Sequence, residues 1–221
     1  MKASPYSMIK PEIRLPYTEI YLIRHANPDY SLQASLGDKA MPLSKAGIEQ
    51  SKLLALALKK SEIDVVYASE MQRAKSTAEF LVPRKKIIID PRLNEIDWVN
   101  WHRVKYFRTS EDRRKQYLKN YHDLDKQLDK FQARMRRLLA SMVRNNKGKK
   151  VALFCHGNII KSVLTSIINA DVIGFLSLEI FQASISRLVI DQNNYVKVLY
   201  INDFKHLKTQ PSEDLFTTLL D

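Results

Sequence analysis

The stretch Ile20-Tyr-Leu-Ile-Arg24-His25-Ala26 decides the fold of this chain. Its apolar part is continuous and holds β-branched and aromatic residues, which is typical of a strand buried on both faces of a parallel sheet. Ligands of open α/β sheets bind at the carboxyl ends of the strands, so Arg24 and His25 follow a predicted binding edge. A guanidinium beside a neutral imidazole suits the presentation of a nitrogen nucleophile to a phosphoryl group. The alternative is a salt-bridged arginine beside a structural histidine.

Two more apolar runs end in polar side chains of the same kind. Residues 151–155 form a predicted strand that is followed by His156, and residues 63–68 form another that leads into a helix with Arg73 in its first turns. Helix amino termini attract anions, because their N–H groups are unpaired and the helix dipole is positive there. We therefore expect Arg24 and Arg73 to bind one phosphate from two sides with forked hydrogen bonds.

Five motifs, in this order along the chain, resemble those of the histidine phosphatase superfamily, the phosphoglycerate mutase-like enzymes. The matched region runs from about Tyr21 to about Leu164. Each motif alone is common, but five in the family's order are specific. The motifs are Leu22-Ile-Arg24-His25-Ala26, Leu43-Ser44-Lys-Ala-Gly47-Ile-Glu-Gln50, Tyr67-Ala-Ser69 with Arg73-Ala74 and Thr77-Ala78, Leu93-Asn-Glu95-Ile96-Asp97, and His156-Gly157-Asn158.

The resemblance implies a role for each polar residue of these motifs. It implies that His25 is phosphorylated during turnover and that Glu95 is the proton donor. It also implies that the phosphoryl group is bound by Arg24, Arg73 and His156. Asn27 follows where the family more often has an acidic, amide or hydroxyl residue, and its side chain can still donate to a phosphate.

The chemistry of phosphoryl transfer agrees with these roles. An attacking imidazole must be unprotonated, and neighbouring guanidinium groups lower its pKa from about 6.5. The same cations stabilise charge on the equatorial oxygens of the phosphoryl group, so we expect no metal ion and no cofactor. A carboxylic acid whose pKa is raised can protonate the leaving oxygen. The resemblance favours Glu95 as that acid, while spacing alone leaves Asp97 as the alternative.

The loop after the proposed acid departs from the family pattern. The family tends towards aromatic-Gly-x-Trp-Glu-Gly at this point, whereas this chain reads Trp98-Val-Asn-Trp-His-Arg103 and lacks both glycines and the acid. Ala26 also stands where the family usually has glycine. The reaction is expected to survive these changes, but a substrate cannot be carried over from relatives.

The order of predicted elements indicates one α/β domain over residues 1–221. Strands alternate with helices, which predicts a three-layer α/β/α sandwich with a mostly parallel central sheet. Predicted helices cover residues 44–59, with Ser44 as N-cap and an apolar run that suggests a well-covered helix, and residues 123–144. Two final strands flank Asp191-Gln-Asn-Asn194, which is typical of a hairpin. Residues 1–17 are predicted to form a surface arm.

The positive charge is concentrated in one segment. The net charge is +12, and residues 101–150 contain 16 basic and 5 acidic residues. In relatives, material between the acid and the second histidine tends to cover the substrate, so we expect residues 98–122 to form a basic cap that attracts anionic substrates. A solvated basic helix face is the alternative. The single Cys155 fits a reducing, cytoplasmic compartment, and the sequence has no membrane span.

The sequence predicts a phosphatase with an anionic phosphorylated substrate, and three other functions are alternatives to it. The first is binding of nucleic acid or an anionic surface by the 101–150 segment, in which aromatic and basic residues alternate but no reader motif occurs. The second is a cysteine phosphatase that uses Cys155, although Lys161 stands where the forked arginine of a Cys-x5-Arg loop is needed. The third is a phosphoglycerate-type phosphomutase. A phosphate or sulfate ion is the expected pocket ligand, and the oligomeric state is left open.

Overall fold

A computed structural model describes residues 15–96, 104 and 106–207, with the backbone alone for Asn120. Within these residues, one six-stranded sheet has the order β3-β2-β4-β1-β5-β6. The strands are β1 (Tyr17–Arg24), β2 (Val65–Ala68), β3 (Ile87–Ile89), β4 (Lys150–Cys155), β5 (Ile185–Asp191) and β6 (Val196–Asp203). The predicted arm, residues 1–17, lies outside the described residues except for its last three, and β1 already begins at Tyr17.

The sheet is parallel on one side of β1 and antiparallel on the other. Strands β3, β2, β4 and β1 run parallel, while β5 pairs antiparallel with β1 and β6 pairs antiparallel with β5. Arg24 is in register with Cys155, and Ala68 with Phe154, so β1, β4 and β2 end at the same edge. The mostly parallel sheet predicted from the sequence is confirmed. The residues that follow these three strands therefore meet at one place.

Helices cover both faces of the sheet. Alternate residues of β1 enter different cores. Ile20 and Leu22 pack with α5 (His122–Asn145) and α6 (Gly157–Ile168), while Tyr21 and Ile23 pack with α2 (Lys45–Lys59) and α3 (Gln72–Glu79). This division confirms the predicted three-layer α/β/α architecture. The helices are α1 (Gln33–Ala40), α2 (Lys45–Lys59), α3 (Gln72–Glu79), α4 (Ser110–Gln116), α5 (His122–Asn145), α6 (Gly157–Ile168) and α7 (Val172–Ser177).

Several helix boundaries differ from the predictions for local reasons. Ser44 is the N-cap of α2 as expected, and its hydroxyl accepts a hydrogen bond from the Gly47 amide at 3.0 Å. The α3 helix begins at Gln72 rather than directly after the strand, and the Ser69 hydroxyl between them accepts a hydrogen bond from the Met71 amide. The predicted coverage of α2 is wrong on one face, because the Leu56 side chain is 66% exposed.

The described part of the predicted cap packs beside the core. Helix α4 continues through a π-helical turn, Tyr117–Tyr121, directly into α5. Tyr121, Tyr117 and Phe107 join an apolar cluster with residues of α7. The Tyr117 hydroxyl donates to Asp125 Oδ2 at 2.5 Å, an interaction that raises the pKa of Tyr117 to about 12. Residues 97–103 and 105 of this region lie outside the described residues.

Candidate active site

Two histidines from distant parts of the chain lie side by side at the carboxyl edge of the sheet. His25 follows β1, and His156 is the N-cap residue of α6 directly after β4. Their ring centroids are 5.0 Å apart and the rings are inclined by 58°. His25 is 4% exposed and His156 is fully buried. The pairing of β1 with β4 thus brings together the two imidazoles that the sequence placed at strand ends.

The hydrogen bonds of His25 leave a lone pair on one defined nitrogen. Its Nδ1 lies 2.7 Å from the Ala26 carbonyl oxygen, an acceptor, so Nδ1 carries the hydrogen. Arg73 Nε donates to His25 Nε2 at 3.1 Å, so that nitrogen carries the lone pair. Burial, followed by the nearby His156, Arg73 and Arg24, holds the pKa of His25 well below its usual value. The neutral imidazole therefore has the form that a nucleophile needs.

We assign the tautomer of His156 from its contact with Ser69, with the hydroxyl taken as the donor. Ser69 is the first residue after β2, and its hydroxyl lies 2.8 Å from His156 Nε2. Because that hydroxyl already accepts a hydrogen bond from the Met71 amide, its own hydrogen is available for Nε2. Nδ1 then carries a hydrogen, and it is buried without a hydrogen-bond partner among the described residues. Burial, with Arg73 and Arg24, lowers the pKa of His156 well below its usual value.

The two arginines predicted to bind phosphate approach these histidines from different elements. Arg73 lies in the first turn of α3 and its side chain is 6% exposed. Arg24, the last residue of β1, donates through Nη1 to the Ile180 carbonyl oxygen and lies 3.8 Å from Glu179 Oε1. Arg24 Nε is buried without a partner in the described part of the chain. Both guanidinium groups lower the pKa of both histidines, so all four groups share one electrostatic environment.

Glu95 adds a carboxyl group to the same environment. It is partly buried and follows a short 3-10 turn, Pro91–Leu93. Burial raises the pKa of Glu95, while hydrogen bonds from the Ile96 and Asn158 amides and the charges of Arg24 and Arg73 oppose that rise. The alternative acid, Asp97, lies outside the described residues.

Asn27 contacts the start of α2. Its carbonyl oxygen accepts from the Ser44 amide at 3.0 Å, and its Oδ1 lies 3.3 Å from the Ser44 hydroxyl. A Cβ on Gly47 would be 2.0 Å from the Asn27 carbonyl oxygen, so only glycine allows this approach. Asn27 therefore fixes the loop after His25 to α2, and its role in phosphate binding stays a prediction.

Three polar residues near the site were not assigned a role from the sequence. Ser69 follows a strand, as His25 and His156 do, and the same rule could have found it. Asp38 contacts Arg73 from α1, where nothing in the surrounding polar sequence distinguishes it. The sequence singles out Lys161 only at the arginine position of a Cys-x5-Arg loop. In the structure its Nζ lies 3.9 Å from Glu179 Oε2, and burial lowers its pKa.

The environment of Cys155 argues against a thiolate nucleophile. Cys155 is fully buried in the sheet, and burial together with the nearby Glu95 charge raises the pKa of its thiol far above the usual value. The thiolate form is therefore scarce at neutral pH. Over residues 15–96, 104 and 106–207, no three His, Cys, Asp or Glu side chains are grouped as metal ligands. No helix in the same ranges is long and apolar enough to cross a membrane.

Comparison with known proteins identifies the family. A family model of the histidine phosphatase superfamily (branch 1) matches residues 20–203. The chain belongs to this superfamily. The match spans the strand ends that carry Arg24, His25 and His156, so the paired imidazoles lie within the family's own domain. Membership supports an enzyme that acts on phosphate esters.

Relatives of this chain include proteins named as phosphatases and as mutase-like proteins. It is 23% identical over 203 residues to "Putative phosphoserine phosphatase 2" of Hydrogenobacter thermophilus, covering 86% of this chain and 97% of that protein. It is 26% identical over 160 residues to phosphoglycerate mutase-like protein 4 of Arabidopsis thaliana, covering 66% and 70%. The fold resembles that of Entamoeba histolytica phosphoserine phosphatase in complex with 3-phosphoglyceric acid, with a TM-score of 0.68, 21% identity and coverage of 86% and 99%.

Proposed function

We propose that this protein is a metal-independent phosphatase that hydrolyses a phosphate monoester through a phosphohistidine intermediate on His25. The observation that carries this proposal is the hydrogen bonding of His25. Nδ1 is tied to the Ala26 carbonyl at 2.7 Å, and Nε2 accepts from Arg73 Nε at 3.1 Å. This arrangement holds a neutral imidazole with its lone pair beside a guanidinium that can bind the phosphoryl oxygens.

In the first step, Arg73 Nε shifts its hydrogen bond from His25 Nε2 to a phosphoryl oxygen, and the freed lone pair of Nε2 attacks phosphorus as the bond to the leaving oxygen breaks. Arg73, Arg24 and the free Nδ1–H of His156 donate to the phosphoryl oxygens and stabilise the charge that develops on them. Glu95, protonated because burial raises its pKa, gives its proton to the leaving oxygen. The products of this step are the alcohol, phosphorylated His25 and the Glu95 carboxylate.

In the second step, water attacks the phosphohistidine. The Glu95 carboxylate takes one proton of the water, and the hydroxyl oxygen bonds to phosphorus as the bond to Nε2 breaks. His25 returns to its neutral form and inorganic phosphate leaves. Because the guanidinium groups supply the charge stabilisation, no step requires a divalent metal ion.

A substrate panel tests this proposal directly. Wild type is assayed with phosphoserine, 3-phosphoglycerate, sugar phosphates and nucleotides, with and without a chelator. We expect turnover that the chelator leaves unchanged and that His25→Ala abolishes. Rapid quenching should trap an acid-labile phosphoenzyme in wild type only. Cys155→Ser should retain turnover, whereas loss of activity in Cys155→Ser with retention in His25→Ala would overturn the mechanism.

The fate of the phosphoenzyme distinguishes a phosphatase from a phosphomutase. A phosphatase hydrolyses the intermediate within each turnover, so inorganic phosphate accumulates in step with the alcohol. A mutase keeps a long-lived phosphohistidine and interconverts phosphoglycerates without net release of phosphate. We propose the phosphatase, because the residues after His25, Ala26-Asn27-Pro28-Asp29, depart from the longer motif expected in glycolytic mutases.

The described part of the basic segment does not favour nucleic-acid binding. Tyr121 is buried, and Tyr117 and Phe107 are partly buried in the same apolar cluster as α7, which reduces the ring surface open to bases, although Tyr106 is 92% exposed. We propose instead that residues 98–122 form a basic cap of a single domain, which raises the encounter rate with anionic substrates. Steeply salt-dependent binding to nucleic acid, without phosphatase activity, would contradict this assignment.

A further inference from the structure

Asp38 makes a bidentate ion pair with the arginine beside the candidate nucleophile. Arg73 Nη1 lies 3.0 Å from Asp38 Oδ1, and Nη2 donates to Oδ2 at 3.2 Å. Nη1 also donates to the Asp38 backbone carbonyl at 2.7 Å. The Arg73 side chain is 6% exposed and that of Asp38 is 49% exposed. A surface carboxylate thus engages a buried guanidinium of the site.

The geometry of the guanidinium divides its donors into two edges. Nη1 and Nη2 form the end edge, while Nε and Nη2 form the side edge, and each edge can bind one oxyanion with two parallel hydrogen bonds. Asp38 occupies the end edge. Nε, on the side edge, donates to His25 Nε2 at 3.1 Å. The side edge therefore faces the nitrogen where a phosphoryl group would bind, and Asp38 does not engage Nε.

The segment that carries Asp38 is held by polar contacts. Helix α1 has no buried residue, and it is kinked at Gly37, whose φ is 73°. Besides the contact with Arg73, it makes a half-exposed ion pair between Lys39 and Glu70 at 3.7 Å. Since α1 adds no buried residue to the apolar core, we expect loss of the Asp38 ion pair to change the orientation of Arg73 more than the stability of the fold.

We propose that Asp38 is a positioning residue, which fixes the rotation of the Arg73 guanidinium so that its side edge meets the phosphoryl group on His25. This inference rests on the proposed function, in which Arg73 binds phosphoryl oxygens. A carboxylate bound at both end-edge nitrogens restrains the plane of the guanidinium as well as its position. A loss of such orientation lowers the rate even when the charge of the arginine is retained.

Substitution of Asp38 tests whether its carboxylate orients the Arg73 guanidinium or competes with the substrate phosphate for it. Because the carboxylate holds Arg73, we expect Asp38→Ala to lower kcat by about tenfold. Inorganic phosphate should also bind more weakly, so its competitive inhibition constant should rise. Asp38→Asn keeps one oxygen acceptor and should lie between wild type and alanine. Lys39→Ala, which removes the other ion pair of α1, should stay within about twofold of wild type.

A measurement without turnover keeps this inference distinct from the proposed function. In the substrate-free protein, the 1H–15N resonance of Arg73 Nε reports its hydrogen bond to His25. We expect Asp38→Ala to shift or broaden this resonance and Lys39→Ala to leave it unchanged. An unchanged resonance, or tighter phosphate binding in Asp38→Ala, would overturn the inference. If His25→Ala retained turnover while the resonance still shifted, the proposed function alone would fail.

Discussion

The hydroxyl of Ser69 decides which nitrogen of His156 carries a hydrogen, and this can be tested. Ser69→Ala removes the donor to Nε2, so the hydrogen can move to that nitrogen and Nδ1–H is lost to the phosphoryl group. We expect kcat to fall about 10- to 100-fold, and the free energy of unfolding to fall by about 1–3 kcal/mol because two buried hydrogen bonds are lost. Ring 15N chemical shifts of His156 should show the tautomer change. Ser162→Ala, which removes a buried hydroxyl without a hydrogen-bond partner among the described residues, is the control.

Glu95→Gln tests the proton donor through its pH profile and its leaving-group dependence. Activity needs His25 unprotonated and Glu95 protonated, so kcat/KM should rise with pH through the lowered pKa of His25 and fall through the raised pKa of Glu95. Glu95→Gln should lose the alkaline limb. It should lower kcat by about 10²- to 10⁴-fold for an alkyl phosphate.

An activated aryl phosphate provides the control for this prediction. Its phenolate leaves without a proton, so Glu95→Gln should affect its phosphorylation of His25 far less. Equal losses in the rate of His25 phosphorylation by the alkyl and aryl substrates, measured in single turnovers, would mean that Glu95 serves another purpose. In that case Asp97, the acid that spacing alone left open, becomes the residue to substitute.

At the residue scale, the sequence predicts those site residues that end or directly follow a buried parallel strand. Arg24, His25 and His156 lie at strand ends and were found because parallel strands end at one edge. Asp38 obeys no such rule. It reaches Arg73 from α1, a short exposed helix without buried residues, so no pattern of apolar residues marks its position.

At the scale of elements, the contact between α2 and the loop after β1 sets the position of His25. Gly47→Ala would place a methyl group 2.0 Å from the Asn27 carbonyl oxygen, so the helix or the loop must move. We expect a loss of about 3 kcal/mol in the free energy of unfolding, measured by urea denaturation, together with reduced kcat. Gly157→Ala is the matched control for stability, because its nearest new contact, at 3.6 Å from Arg24, is ordinary. Equal stability of the two variants would contradict the prediction.

The elements that the sequence predicted well are those with a strong apolar period. The long helix was expected over residues 123–144 and is observed as His122–Asn145. Its continuation upstream through Tyr117–Tyr121 was not foreseen, because those residues pack on α7, which was itself not predicted. The six residues of α7, Val172–Ser177, are too few to show a helical period.

At the scale of the whole molecule, the strand order brings together residues that are far apart in the sequence. Strands β1 and β4 are adjacent in the sheet although a long stretch of chain separates them, so His25 and His156 meet only in the folded state. The same folding removes both imidazoles from water. The burial that keeps the imidazoles neutral for catalysis also makes stability depend on pH. A buried imidazole has a lower pKa in the folded state than in the unfolded chain, so protonation favours unfolding.

This coupling predicts acid sensitivity of a defined sign. The pKa values of His25 and His156 are lowered in the folded state, so the unfolded state binds more protons and stability falls as pH drops below about 6.5. Each histidine contributes up to about 1.4 kcal/mol per pH unit until its folded pKa is reached. Glu95 acts oppositely, because its raised pKa favours the folded state as the pH falls towards the ordinary pKa of a glutamate.

Urea unfolding at pH 7.5, 6.5 and 5.5 should therefore show a steeper loss of unfolding free energy in wild type than in a His25→Gln, His156→Asn double variant. Glu95→Gln should steepen the loss further, and a double variant that is as acid-sensitive as wild type would show that the two imidazoles are not the groups that titrate.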